Sequence, residues 1–155
     1  MHRPYNFNHT VGVDVNYLTD CDGTEFMLFT IVDLGTTYQI QAVLREGRVT
    51  PTSLQRLDAL MTYWVSWAGY PRQVAADRGL NDRGVFARAL AAAGVHTANI
   101  GLEAPYQLGK VERHGDMWKT VASKVVESKS IKGMRAMTTM ATEVNAVMNG
   151  MGRAG

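Results

Sequence analysis

At 155 residues the chain has the length of one domain, and 46% hydrophobic with only 19% charged residues excludes a disordered acidic or basic tail. The net charge of +2 is unevenly spread: residues 1–105 carry 8 basic and 10 acidic side chains, residues 106–155 carry 8 basic and 4 acidic, which suits either a nucleic-acid partner or a solvated lysine-rich helix face. Cys21 is the only cysteine, so an intrachain disulfide is excluded; no apolar run approaches the roughly 20 residues of a membrane span, and an intracellular protein without a membrane partner is the expectation.

Residues 1–9 lack periodicity and read as a linker or arm. Val11, Val13, Val15 and Tyr17 then alternate with polar residues, which predicts a strand over 10–18 with Asp14 on the face opposite the valines. Asp22-Gly23 is a favoured hairpin turn. Phe26 to Val32 is a nearly continuous apolar run, as in a central strand buried on both faces. Asp33 after it reads as a turn acid. A third strand is predicted over Tyr38 to Leu44. A helix follows, with Thr50 as N-cap, Pro51 at its first position, and Leu54, Leu57, Met61, Trp64 and Ala68 along its inner face. Gly69 and Pro71 stop it.

Gln73 to Ala76 predicts a short strand ending at Asp77. A helix from about Asp82 to Ala93 stops at Gly94, and Val95 to Ile100 predicts a fifth strand. Residues 103–106 read as a loop. A long helix from Gln107 or Leu108 turns Val111, Trp118, Val121 and Val125 inward. A last helix over about 134–148 carries a methionine stripe that suits a core or a dimer surface. Trp64, Trp67 and Trp118 are read as core or interface. Three strands joined by short turns form an antiparallel meander; two later strands, each reached through a helix, are parallel crossovers. The fold class is therefore α/β, a five-stranded mixed sheet flanked by helices.

Three acids lie where phosphodiester chemistry needs them. Asp14 is in the first strand, where aspartate is disfavoured without a reason. Asp77 follows the fourth strand, although it could instead cap a helix or open an Asx-turn. Glu112 sits near the start of the long helix. Two-metal catalysis clamps the attacking and leaving oxygens between divalent cations, and Mg²⁺ takes one or two carboxylates plus water and phosphate. Lys110, Arg113 and Lys119 are candidate phosphate contacts or solvated cations. Gln107 could hydrogen-bond DNA. Tyr106 could stack on a base or sugar, though packing against the helix start is favoured. His114 lies well around the helix from Glu112 and reads as packing.

The strings VGVDV, FTIVDLGTTYQIQAVL, AADRGLNDRGVF and APYQLGKVERHG occur in this order. With that element order the chain resembles the RNase H-like class, and within it the catalytic core of retroviral and long-terminal-repeat retrotransposon integrases. The matching residues are Asp14, then Asp77-Arg78-Gly79, then Pro105-Tyr106, Gly109 and Glu112-Arg113, over roughly residues 8–128. The resemblance implies an integrase-type core at 10–130, with a C-terminal helix and frayed tail at 131–155. It implies a D,D,E triad of Asp14, Asp77 and Glu112 holding two Mg²⁺ or Mn²⁺ ions with DNA bound. It also implies DNA 3′-end processing and strand transfer for a retrotransposon-like element, in cytoplasm and nucleus, by a homo-oligomer of two or more chains.

Departures exist. There are 34 residues between Asp77 and Glu112, one fewer than the family's usual spacing, and the loop before Glu112 is short. Asp116 stands where relatives often carry a basic residue, while Lys119 keeps a cation on that face. The zinc-binding and C-terminal DNA-binding domains that relatives add have no counterpart here; His2, His9 and Cys21 do not make a zinc site. The resemblance thus implies a core taken from a longer polyprotein or a degenerate copy. Two other functions remain open: another RNase H-like nuclease, against which the first helix offers only Asp58 as an additional acid, or an inactive nucleic-acid-binding remnant.

Overall fold

The computed structural model describes residues 6–76, 84–99 and 105–153. Strands β1 (Thr10–Thr19), β2 (Glu25–Asp33) and β3 (Gln39–Glu46) form an antiparallel meander. Strands β4 (Gln73–Ala76) and β5 (His96–Asn99) add on the other side of β1, both parallel to it, giving the order β3-β2-β1-β4-β5. This is the mixed sheet the sequence predicts, with three antiparallel and two parallel strands. Helices α1 (Ser53–Leu60), α2 (Ser66–Ala68), α3 (Val85–Ala92), α4 (Pro105–Lys129) and α5 (Met134–Arg153) complete the described elements. None of the described helices is long and apolar enough to cross a membrane.

The sheet separates two cores. On one face Val11, Val13, Phe29 and Ile31 pack against Leu60, Trp64, Phe86 and Leu90. On the other, Leu18, Phe26 and Leu28 pack against Trp118 and Ala122 of α4 and Met137, Met140 and Val144 of α5. Every residue of β2 from Phe26 to Asp33 is buried, because the strand feeds both cores. The methionine stripe is core at Met137 and Met140, while Met134 is exposed.

Three helix expectations shift. The first helix is capped by Thr52, not Thr50: its hydroxyl accepts the Gln55 N–H, and the Gln55 side chain accepts the Thr52 N–H. That reciprocal capping box outweighs the preference of Pro51 for the first helical position. The inner face then holds Ala59, Leu60 and Trp64, while Leu54 is 54% exposed. A π-helical segment, Met61–Val65, joins α1 to α2 and turns the register, which a uniform 3.6-residue count misses. Helix α4 starts at Pro105, so Tyr106 lies in its first turn rather than in a loop. Its buried stripe is Val111, Gly115, Trp118, Ala122 and Val126, with Val121 and Val125 at the flank.

The residues read as an arm are tied down from Asn8 onward. The Asn8 N–H donates to Asp33 Oδ1 at 2.8 Å, its amide donates to the Ala68 carbonyl at 2.9 Å, and its Oδ1 accepts from Trp64 Nε1 at 2.7 Å. Asp33 also accepts from the Thr36 N–H and hydroxyl, the turn role expected of it. At the other end, α5 seals the edge of β3. Asn145 and Asn149 each accept and donate one hydrogen bond with the backbones of Gln41 and Gln39, between 2.8 and 3.1 Å, replacing a missing strand.

Asp20 joins the β1–β2 turn to the α4–α5 turn. Its carboxylate accepts the N–H groups of Asp22 and Thr24 at 2.9 Å and of Gly133 at 3.1 Å. Burial pushes its pKa up, but these three donors and the nearby Lys132 outweigh that and hold it below the ordinary value. A depressed carboxylate contributes stability above its unfolded pKa, about 3.9, and loses it as pH falls through the lower folded value. Thermal melts should therefore show Asp20→Asn less stable than wild type at pH 6, with a smaller further loss between about pH 4 and pH 2. Parallel losses for the two proteins would contradict this assignment.

Candidate active site

β1 carries Asp14 on the sheet face covered by α4, directly across from Thr30 of β2. One carboxylate oxygen accepts the N–H of Val15 at 2.8 Å, which steadies the side chain at the strand edge. Two residues earlier, Gly12 shares that face, because strand side chains alternate. A Cβ built on Gly12 would lie 2.8 Å from Val111 Cγ2 of α4, so the glycine lets α4 approach β1 closely. Val111 is buried with Val32, Leu34 and Ala75, and Glu112 is the next residue along the helix.

This approach makes a small cleft of about 70 Å³ lined by Asp14, Asn16, Thr30, Glu112, Asp116 and Lys119, with Val111 and Gly115 between them. Glu112 and Asp116 are exposed on the helix wall; Asp14 and Lys119 are half-buried. Acidic residues of strand and helix thus line one opening together with a lysine, residue types that suit a hard cation and a phosphate. Among the described residues, no group of three or more His, Cys, Asp or Glu side chains is gathered to hold a metal ion.

Of the residues singled out from sequence, Asp14, Glu112 and Lys119 meet in this cleft. Asp77 lies outside the described residues, as does the side chain of Gln107. Tyr106 is 70% exposed, so the expected packing against the helix start is not what this side chain does. Lys110 donates to the Leu34 carbonyl at 2.9 Å, fastening α4 to the end of β2 rather than standing free in solvent. Arg113 is exposed. His114 is half-buried with Nδ1 2.9 Å from the Lys110 carbonyl, the packing role expected of it. Asn16 and Thr30 were not singled out. Asn16 was within reach of the strand pattern, since a residue two positions from Asp14 shares its face; Thr30 needs the pairing register.

No protein-family model matches the chain, and no curated protein matches its sequence. Solved structures do resemble it. The HTLV-2 integrase catalytic core domain in complex with magnesium, in a dimeric form, superposes with a TM-score of 0.73 at 16% identity, covering 95% of this chain and 90% of that one. The BIV integrase catalytic core domain gives 0.73 at 13% identity, covering 96% and 87%. A chain of the simian T-cell lymphotropic virus intasome in complex with the PP2A regulatory subunit B56 gamma gives 0.73 at 19% identity; it is matched over 91% of this chain but only 49% of its own length. The fold is thus the RNase H-like fold of retroviral integrase catalytic cores.

Proposed function

We propose that the chain is a metal-dependent polynucleotidyl transferase of the integrase type, acting on DNA. The observation that carries this reading is the meeting of Asp14 from β1 with Glu112 from α4 in one cleft, beside Lys119. The donor set suits Mg²⁺ or Mn²⁺: the described residues lining the cleft offer hard carboxylate oxygens and neither sulfur nor imidazole. Asp14 and Glu112 would hold the ion or ions, and Asp77 is the third proposed ligand. A bound divalent cation would supply Lewis-acid stabilisation of phosphoryl charge and acidify an attacking hydroxyl.

The chain's own residues do the rest. The Val15 N–H keeps Asp14 oriented. Lys119 offers a positive charge to an entering phosphate. Exposed Arg113 and Tyr106 are proposed to contact DNA outside the cleft, and Gln107 is proposed to hydrogen-bond it. The proposed reactions are 3′-end processing, with water as nucleophile, and strand transfer, with a DNA 3′-hydroxyl. Among the similar structures are a dimeric form and an intasome; DNA and further copies of this chain are accordingly the proposed partners. Asp58, the acid a ribonuclease H arrangement would need, lines a separate cavity with Arg45 and Tyr63.

Incubating the chain with a short DNA duplex and Mg²⁺ or Mn²⁺ tests the reading. Metal-dependent nicking near the 3′ end and joining of that end to a second duplex are expected. Cleavage of an RNA–DNA hybrid without any DNA joining would reassign the site to a hydrolase. No metal-dependent reaction on any of these substrates would overturn the proposal.

A further inference from the structure

Behind the cleft runs a buried chain of hydrogen bonds whose direction is fixed at its far end. The His114 carbonyl can only accept, and it receives Gln39 Nε2 at 3.2 Å. That orients the Gln39 amide, so its Oε1 accepts Gln41 Nε2 at 3.4 Å. Gln41 Oε1 then accepts the Thr30 hydroxyl at 2.7 Å. The Thr30 oxygen, having donated its proton, accepts Asn16 Nδ2 at 2.6 Å. Gln39, Gln41 and Thr30 are at most 2% exposed. Flipping any one amide would set donor against donor or acceptor against acceptor along the chain. The polarity therefore leaves Asn16 Oδ1 as the open end, and this buried oxygen has no hydrogen-bond partner among the described residues. Asn16 lines the same cleft as Asp14 and Glu112.

A buried acceptor without a donor is costly, and a phosphodiester cannot satisfy it, because its oxygens are acceptors too. What the oxygen lacks is an O–H or N–H group. We infer that Asn16 Oδ1 orients the attacking hydroxyl of the phosphoryl transfer, accepting its O–H so that an oxygen lone pair faces phosphorus. The hydroxyl comes from water or from a DNA 3′ end. As the new O–P bond forms, the P–O3′ bond breaks; the proton lost by the nucleophile is matched by the one the leaving 3′-oxygen gains. The amide takes no proton itself. Thr30 acts through Asn16 and is a positioning residue. This inference rests on the transferase reading of the same cleft.

The test uses the full chain and all-DNA duplexes, which carry no 2′-hydroxyl. Asn16→Ala should lower kcat about ten-fold with KM within two-fold of wild type, and Thr30→Val should follow it while Thr30→Ser recovers. Nicking and end joining are scored separately: loss in both assigns both nucleophiles to Asn16, and loss in one assigns that one. Unchanged kcat in both, or a loss confined to KM, would overturn the inference. A second readout needs no turnover. The Asn16 side-chain amide resonances of the wild-type protein, followed without divalent metal, should shift with a duplex ending in a 3′-hydroxyl and not with its 3′-deoxy counterpart. Equal shifts with the two duplexes would count against Asn16 even if the variants fail to fold. If wild type turns over no DNA, the transferase reading fails, while the amide shift still reports on hydroxyl acceptance.

Discussion

Glu112→Gln is expected to lose metal-dependent nicking and joining of DNA by about 10³-fold or more, while melting at the wild-type temperature. Glu112 is exposed, whereas its neighbour Val111 is buried and holds α4 to the sheet. The substitution keeps the side chain's shape and helix propensity and removes only the charge. What it removes chemically is a hard anionic donor at the opening of the cleft, and stabilisation of phosphoryl charge by a well-held cation is worth several kcal/mol. A binding measurement separates this from misfolding. Mn²⁺ should raise the melting temperature of wild type, because a ligand that binds only the folded state stabilises it by mass action. The rise should be smaller or absent in Glu112→Gln. Undiminished activity in the variant would move the chemistry away from this cleft.

The parts of this site that sequence reveals are those written in local periodicity. Alternating valines in β1 place Asp14 on the opposite face without knowledge of any partner. The apolar run of β2 announces a strand buried on both sides. Glu112 follows Val111, whose place in the helical stripe marks which side of α4 meets the sheet. The features that escape are set by residues distant in sequence. Asn145 and Asn149 read as polar helix positions, yet they are the surrogate strand for Gln41 and Gln39, more than a hundred residues earlier. Lys110 reads as a surface cation because the Leu34 carbonyl it meets is 76 positions away. The hydrogen-bond chain ending at Asn16 crosses three strands and a helix, so no window of sequence contains it. Thr52 is a different case: its capping box lay in plain view, and Pro51 drew the expected boundary two residues too early.

Gly12 supplies the second large expected effect, because the whole approach of α4 to β1 passes through it. Gly12→Ala places a methyl 2.8 Å from Val111 Cγ2, with Leu34 Cδ2 at 3.6 Å and the Ala75 carbonyl at 3.9 Å. Val111 cannot swing aside, since a β-branched residue in a helix has one strongly preferred rotamer. The helix has to move instead, carrying Glu112 away from Asp14. Overpacking of this kind costs about 1–3 kcal/mol, a drop of roughly 2–4 °C in Tm per kcal/mol for a domain of this length. A misplacement of about 1 Å between reacting groups costs on the order of 10²-fold in rate, so activity should fall further than stability does. Val111→Ala alone leaves a cavity and also destabilises. In the double variant the new methyl occupies the space the valine vacated, and the two costs should fall short of their sum by about 1 kcal/mol or more. Activity should recover in step, because the helix can again sit against the strand. Strict additivity in both melts and rates would mean that Gly12 does not set the separation of Asp14 and Glu112.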